Sequence, residues 1–359
     1  MKRYKMIDLF SGCGGITQGF NNTNRVEIVG AIDFDKAACE TYKYNFKSAK
    51  VINGDINEIS VESTGFKDID IIVGGPPCQG FSGLNRWNKQ LEDDPRNKLF
   101  FQYIRFVSEL KPKAILIENV RQILTSKNGF ARKSICNMLE EMGYNVVYDV
   151  INAADYGVPQ NRMRAFFVAI RNDLGEFKFE NLLKFRQERV TVEDALSDII
   201  EIEEHAKNDL NGYNYELGSP KSEYQKKIRT GNILNNHLIY YPTESVQTKM
   251  QYVPEGGNWK DVPEALFKTQ RTNRHSNYLK RLDSKAQSVT IDTGHNVYFH
   301  PQFNRVPTIR ESARLQSFPD EFYFTGNKGQ QFRQVGNAVP PFLAEALARA
   351  IMEVLDNEK

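Results

Sequence analysis

Ile69-Asp70-Ile71-Ile72-Val73-Gly74-Gly75-Pro76-Pro77-Cys78-Gln79-Gly80-Phe81-Ser82 is the stretch on which the reading of this chain turns. The apolar run from Ile69 to Val73, bounded by turn residues, predicts a fully buried strand. Two glycines end it. Pro76 and Pro77 then fix φ and remove two backbone donors, so the approach to Cys78 is stiff. A thiol on a rigid loop at the carboxyl end of a strand is where an open α/β sheet carries its reactive groups. A free cysteine is more often a small buried apolar residue, but the proline pair and the flanking glycines favour a nucleophile.

The surrounding chain fits such a sheet. Lys5 to Phe10 predicts a first strand, followed by Ser11-Gly12-Cys13-Gly14-Gly15 and a helical pattern carrying Ile16, Gly19 and Phe20. The spacing G-x-G-G is not the dinucleotide fingerprint G-x-G-x-x-G, which argues against a nicotinamide oxidoreductase. A second strand, Val26 to Ile32, ends at Asp33-Phe34-Asp35. Asp33 stands where an acid accepts from ribose hydroxyls, Phe34 could stack on an adenine, and Asp35 suits a helix N-cap. A third strand at Val51-Ile52 leads to Gly54-Asp55-Ile56, where Asp55 could reach an adenine amino group and Ile56 could form a wall. These strand ends offer no Lys or Arg to a pyrophosphate, so an adenosyl ligand such as S-adenosylmethionine fits better than NAD.

Further along, Asn85 to Asn97 is polar and reads as a mobile loop. The helix from Lys98 to Leu110 places Leu99, Phe100, Ile104, Val107 and Leu110 at core spacing. A strand from Lys113 to Ile117 ends in Glu118-Asn119-Val120. An unpaired carboxylate there would have a raised pKa, and Asn119 is the better helix N-cap of the two. A helix from Phe130 to Met142 and a strand from Asn145 to Ile151 follow. In Gln160-Asn161-Arg162-Met163-Arg164 the alternation of a strand puts Arg162 and Arg164 on one face.

Together these stretches resemble the DNA (cytosine-5)-methyltransferase family, in its bacterial and phage restriction-modification form. The resemblance covers nearly the whole chain, with the motifs in order. It includes Arg310-Glu311-Ser312-Ala313-Arg314-Leu315-Gln316-Ser317-Phe318-Pro319, where Thr308 and Glu311 form a capping box, and Gln334-Val335-Gly336-Asn337-Ala338-Val339-Pro340-Pro341. The implied fold is α/β: a Rossmann-like S-adenosylmethionine-dependent methyltransferase domain from residues 1–180 and 306–359, with a smaller target-recognition domain at 181–305. The implied cofactor residues are Phe10, Gly12, Gly14, Gly15, Asp33, Phe34, Asp55, Ile56, Pro77, Leu99, Asn337 and Val339. The terminal helix, with Leu343, Ala346, Leu347, Ala350, Ile351 and Val354 on one face, would pack beside the first glycine turn.

The chemistry the family implies starts from a ring carbon, C5 of cytosine, that is a poor nucleophile. The Cys78 thiolate adds at C6, and C5 then takes the sulfonium methyl. Glu118 would hydrogen-bond or protonate N3, Arg164 would hold O2, and Arg162 would hold the adjacent backbone. A stacked base is out of reach, so the target is flipped out.

Composition bounds the alternatives. Residues 224–285 gather Lys226, Lys227, Arg229, Lys249, Lys268, Arg271, Arg274, Lys280, Arg281 and Lys285 with Tyr240, Tyr241, Tyr252 and Trp259, as a surface facing double-stranded DNA would. A net charge of +2 neither demands nor excludes nucleic acid. Four cysteines, Cys13, Cys39, Cys78 and Cys136, show no C-x-x-C pair, so no metal site is expected. With no apolar run long enough for a membrane and no apparent signal peptide, a bacterial cytoplasmic, nucleoid-associated monomer is expected. A cognate restriction endonuclease is the expected genetic partner. Two other readings compete: a tRNA cytosine methyltransferase, disfavoured because no Cys-Phe-Thr motif occurs late in the chain, and an inactive scaffold, disfavoured by Cys78, Glu118 and Arg164.

Overall fold

Seven strands form one sheet in the order β3-β2-β1-β4-β5-β7-β6. The structure, a computed structural model, describes residues 2–77, 98–200, 213–214, 218–229, 231, 233–267, 278–293 and 298–357. The strands are β1 (Tyr4–Leu9), β2 (Val26–Asp33), β3 (Lys50–Asn53), β4 (Ile71–Gly74), β5 (Ala114–Val120), β6 (Tyr144–Asn152) and β7 (Met163–Arg171). β1 to β5 pair in parallel, and β7 runs antiparallel to both β5 and β6. The helices that cross between the parallel strands include α1 (Gly15–Asn22), α2 (Lys36–Asn45), α3 (Val61–Thr64) and α4 (Lys98–Leu110). α5 (Ser126–Glu141) precedes β6 and starts earlier than the periodicity predicts.

Central strands buried on both faces are near-continuous apolar runs, and Ile71, Ile72 and Val73 of β4 are fully buried. β4 ends in a glycine for a steric reason: a Cβ at Gly74 would lie 2.1 Å from the Leu9 carbonyl oxygen. Phe100, Tyr103, Phe106 and Val107 of α4 pack on this sheet with Ile7, Ile72, Ile115 and Ile117.

The chain divides into two units. The first is residues 1–156, 163–186 and 339–359, and the second is 157–162 and 187–338. The expected boundaries at 180 and 306 therefore move to 186 and 339. Within the first unit, the terminal helix Pro341–Asp356 packs on α1, where Gly19 admits Pro341 and Ala344. Its Leu343, Ala346, Leu347, Ala350, Ile351 and Val354 are all buried.

The second unit is built on buried charge. The helix Ile309–Leu315 opens with the predicted capping box of Thr308 and Glu311. Arg305 holds Glu311 with two hydrogen bonds of 2.8 and 2.9 Å. Arg314 is fixed by Asp320 and Asp198, and Arg310 donates to the carbonyls of Asn235, Pro319 and Phe322. These bonds keep 306–338 in this unit. A short helix runs from Val192 to Leu196. Among the described residues an isolated parallel bridge joins Gln160 and Ser288.

Candidate active site

β1 lies between β2 and β4, where the strand order reverses, and the carboxyl ends at such a point open a crevice in α/β sheets. Two loops of the first unit leave the sheet there. The glycine turn follows β1, and the proline pair follows β4.

The glycine turn is shaped by its backbone. Gly12 and Gly14 have φ of 53° and 94°, and Phe10 itself sits at 57°. A left-handed φ is costly for an aromatic residue. Asp33 braces the turn: its Oδ2 accepts from the Gly12 amide at 2.7 Å, and its Oδ1 accepts from the Asp35 amide at 2.8 Å. Burial pushes the Asp33 carboxyl up from its ordinary value, against these hydrogen bonds. Asp35 caps α2 through the amides of Ala37 and Ala38, as its position predicts. Beside it the Phe34 ring is 79% exposed, which leaves a bare aromatic face at the sheet edge of the crevice. Asp55 Oδ1 accepts from both nitrogens of Asn57, and Ile56 is buried. Leu99 packs against the core. Val339 is buried in the first unit, whereas Asn337 ends a helix of the second and is exposed.

Asp8, at the floor of this turn, carries a signal that sequence reading missed. Its Oδ2 accepts from the Thr17 hydroxyl at 2.7 Å, which lies 2.8 Å from the Tyr42 hydroxyl. Oδ1 has no hydrogen-bond partner among the described residues. Burial, opposed by Thr17 and reinforced by Asp33, pushes the carboxyl up to about 8. Burial also pushes the neighbouring Cys13 thiol up, so this cysteine is inert.

On the other side of β1, Glu118 stands on β5 next to the loop that leaves β4. A Cβ at Gly75 would be 3.2 Å from Glu118 Oε2, so glycine lets the chain pass over the carboxylate. Arg164 reaches across from β7, its Nε 3.1 Å from Glu118 Oε1, with the two side chains 18% and 13% exposed. Glu118 is thus ion-paired rather than isolated. Asn119 does not cap a helix; Val120 precedes the next turn without a side-chain cap. The Asn119 amide instead donates to the Pro76 carbonyl at 2.9 Å, which ties the strand of Glu118 to the root of the proline loop. Pro77 is the last described residue of that loop; Cys78 and the stretch from Asn85 to Asn97 lie outside the described residues.

Arg162 corrects the reading from alternation. β7 begins at Met163, and Arg162 belongs to the second unit. It is buried there, and its guanidinium donates to the carbonyls of Ile291 at 3.1 Å and Gly336 at 2.8 Å. A guanidinium committed to backbone carbonyls is a brace, not a free phosphate ligand. Two arginines of the basic stretch are turned inward in the same way. Arg229 pairs with Asp198, and Arg281 donates to the carbonyls of Met250, Val253, His300 and Phe303. Lys226, Lys227 and Lys285 remain exposed; Lys268, Arg271 and Arg274 lie outside the described residues.

A family model described as C-5 cytosine-specific DNA methylase matches residues 4–353. The chain belongs to that family. Among similar proteins, the Type II methyltransferase M1.HphI of Haemophilus parahaemolyticus is 36% identical over 98% of this methylase and 87% of its own length. The Type II methyltransferase M.FnuDI of Fusobacterium nucleatum is also 36% identical, over 99% of this chain and 96% of its own. A solved E. coli chain, assigned as a DNA modification methyltransferase encoded within a prophage, superposes with a TM-score of 0.78 at 29% identity. It covers 99% of this methylase and 100% of its own length. The S. pombe Dnmt2 methyltransferase shares the fold, with a TM-score of 0.65 at 19% identity, over 99% of each chain.

Proposed function

We propose that this methylase transfers a methyl group from S-adenosylmethionine to C5 of a cytosine flipped out of duplex DNA, through a covalent bond between Cys78 and C6. The observation that carries the proposal is the Glu118–Arg164 pair, 3.1 Å apart, tied through Asn119 to the root of the Pro76-Pro77-Cys78 loop. A carboxylate and a guanidinium side by side suit a ring that presents N3 and O2 on one edge.

The Cys78 sulfur forms a bond to C6, and the C5–C6 π electrons move toward C5 as Glu118 hydrogen-bonds or protonates N3. Arg164 holds O2. When bound, the cofactor supplies an electrophilic sulfonium methyl. After transfer the C5 proton is lost, the electron pair returns to the ring, and the thiolate leaves. Nothing in this sequence needs a metal, and its one covalent nucleophile is a thiol.

The residues present fit an adenosyl group. A Cβ at Gly12 would meet nothing within 4 Å, so the turn has open space over it. Phe34 offers its exposed ring, and Asp33, Asp55 and Ile56 stand at the neighbouring strand ends. Phe10, Gly14, Gly15, Pro77, Leu99 and Val339 complete the proposed set within the first unit. The first unit would hold the cofactor and the chemistry, and the second would read the DNA. Among the described residues no helix is long and apolar enough to cross a membrane. The relatives named Type II methyltransferases support a modification role, and we further infer a cytoplasmic monomer that protects DNA from a cognate restriction endonuclease.

Incubation with S-adenosylmethionine and a plasmid library, followed by bisulfite sequencing, tests this. Methylation at one short motif, absent with Cys78→Ala, is expected. No cytosine methylation in DNA despite cofactor binding would sink it.

A further inference from the structure

We propose that Asn53 and Arg105 are positioning residues for the adenosyl ligand, each fixing one of the two strand-end segments that carry Phe34 and Ile56. This deepens the reading above and rests on it. Asn53 ends β3, directly opposite Asp33 in the parallel pair with β2. Its amide nitrogen donates to the Phe34 carbonyl at 3.0 Å and to the Asp33 carbonyl at 3.1 Å. Both of its N–H groups are thereby spent. The backbone adds one bond to the same place, from the Gly54 amide to the Asp33 carbonyl at 3.1 Å.

Arg105 does the corresponding work on the next segment. From α4, Nη2 donates to the Ile56 carbonyl at 3.0 Å and to the Ile59 carbonyl at 2.7 Å. Nε is bonded to Gln102 at 2.7 Å, and Nη1 lies 3.9 Å from Glu109. The segment between is a short turn closed by the Asp55 carboxylate on Asn57 and by the Glu58 amide on the Asp55 carbonyl. Among the described residues it has no strand partner beyond Asn53; Ile56 and Ile59 pack into the core that α4 shares, and the guanidinium fork fixes their carbonyls to the helix.

The physical case is one of preorganisation. A 79% exposed phenylalanine has few packing contacts to set its place, so the backbone beneath it must be held. A ligand that stacks on such a ring gains affinity when the ordering cost is already met. Because the donors of Asn53 and those of Arg105 Nη2 and Nε point at protein acceptors, these groups act through the segments and not by touching the ligand.

Isothermal titration with S-adenosylhomocysteine, paired with steady-state kinetics, tests the assignment on Asn53→Asp, Arg105→Ala and Arg105→Lys. Asn53 is exposed, and Asp keeps its size while turning a donor into an acceptor facing two carbonyls. The dissociation constant is expected to rise about tenfold for Asn53→Asp and Arg105→Ala, roughly 1.4 kcal/mol. Lys retains one donor, so a rise of about threefold is expected there. The rate at saturating cofactor should stay within about twofold of wild type. Unchanged affinity in folded variants, or a fall in that rate with affinity intact, overturns the inference. If Arg105→Ala fails to fold, Asn53→Asp and Arg105→Lys decide. Absence of binding by the wild-type protein overturns the cofactor reading itself, a result distinct from failure of the positioning roles.

Discussion

Asp8 is a carboxyl that the fold keeps protonated. Its ordinary value is 3.8 and burial takes it to about 8. From about pH 4 upward the unfolded chain therefore releases a proton that the folded chain keeps. Stability falls through that window until the folded carboxyl ionises near 8. Asp8→Asn keeps the shape and the bond to Thr17 without a charge to desolvate. We expect it to stabilise the protein at about pH 8 by roughly 1–3 kcal/mol and to leave it unchanged near pH 4. Urea melts across pH check this; an equal effect at both ends would refute it. The arginines teach a second lesson at this scale. Arg164, Arg162, Arg229 and Arg281 look alike in the sequence, yet only the first faces the proposed chemistry, while the others brace loops. A basic run does not say which guanidinium is turned inward, because that depends on carbonyls far along the chain. Arg281→Lys keeps the charge and loses the fork. It should lower the melting temperature by several degrees, about 2 kcal/mol, whereas a phosphate contact on the surface would tolerate the exchange.

The glycine turn between β1 and α1 was readable because local chemistry dictates it: an apolar strand, glycines, then a helical pattern. What the pattern does not reveal is that its two left-handed glycines differ. A Cβ at Gly14 would lie 2.5 Å from the Phe46 ring and 3.0 Å from that of Tyr42, whereas one at Gly12 meets nothing. Gly14→Ala is thus strained twice, by φ and by contact, and should cost about 2–4 kcal/mol. Gly12→Ala bears only the φ penalty, about 1–2 kcal/mol, but its methyl enters the space proposed for the ligand. The expected signature is a larger loss of melting temperature for Gly14→Ala and a larger loss of cofactor affinity for Gly12→Ala. Calorimetry and titration on the same pair separate the two. The shared face expected for Arg162 and Arg164 did not form, for the opposite reason. Alternation in Gln160-x-Arg162-x-Arg164 mimics a strand, but tertiary pairing decides where the ladder begins, and residues 157–162 belong to another unit.

At the level of the whole chain, the two units respond to acid in opposite directions. In the first, burial raises Asp8 to about 8, so its penalty disappears as pH falls from about 8 to about 4, and Asp33, also raised by burial, acts in the same direction. In the second, burial lowers His237 to about 4 and His300 to about 3, from an ordinary 6.5. Below 6.5 the unfolded chain takes up protons that these folded imidazoles refuse, so stability falls down to about 4 and then about 3. Glu311 adds to this: burial pushes it up, but Arg305, His300 and His237 together pull it well below the ordinary 4.5, so its contribution also fades in acid. Each histidine is worth on the order of 1–3 kcal/mol across that window. Hydrogen exchange followed by mass spectrometry at about pH 5 and about pH 8, corrected for intrinsic rates, reads both units at once. Protection of the Ile309–Leu315 helix and the His237 segment should fall in acid, while that of β1 and β4 should hold or rise. Parallel loss in both units would overturn the assignment of opposite acid responses to them.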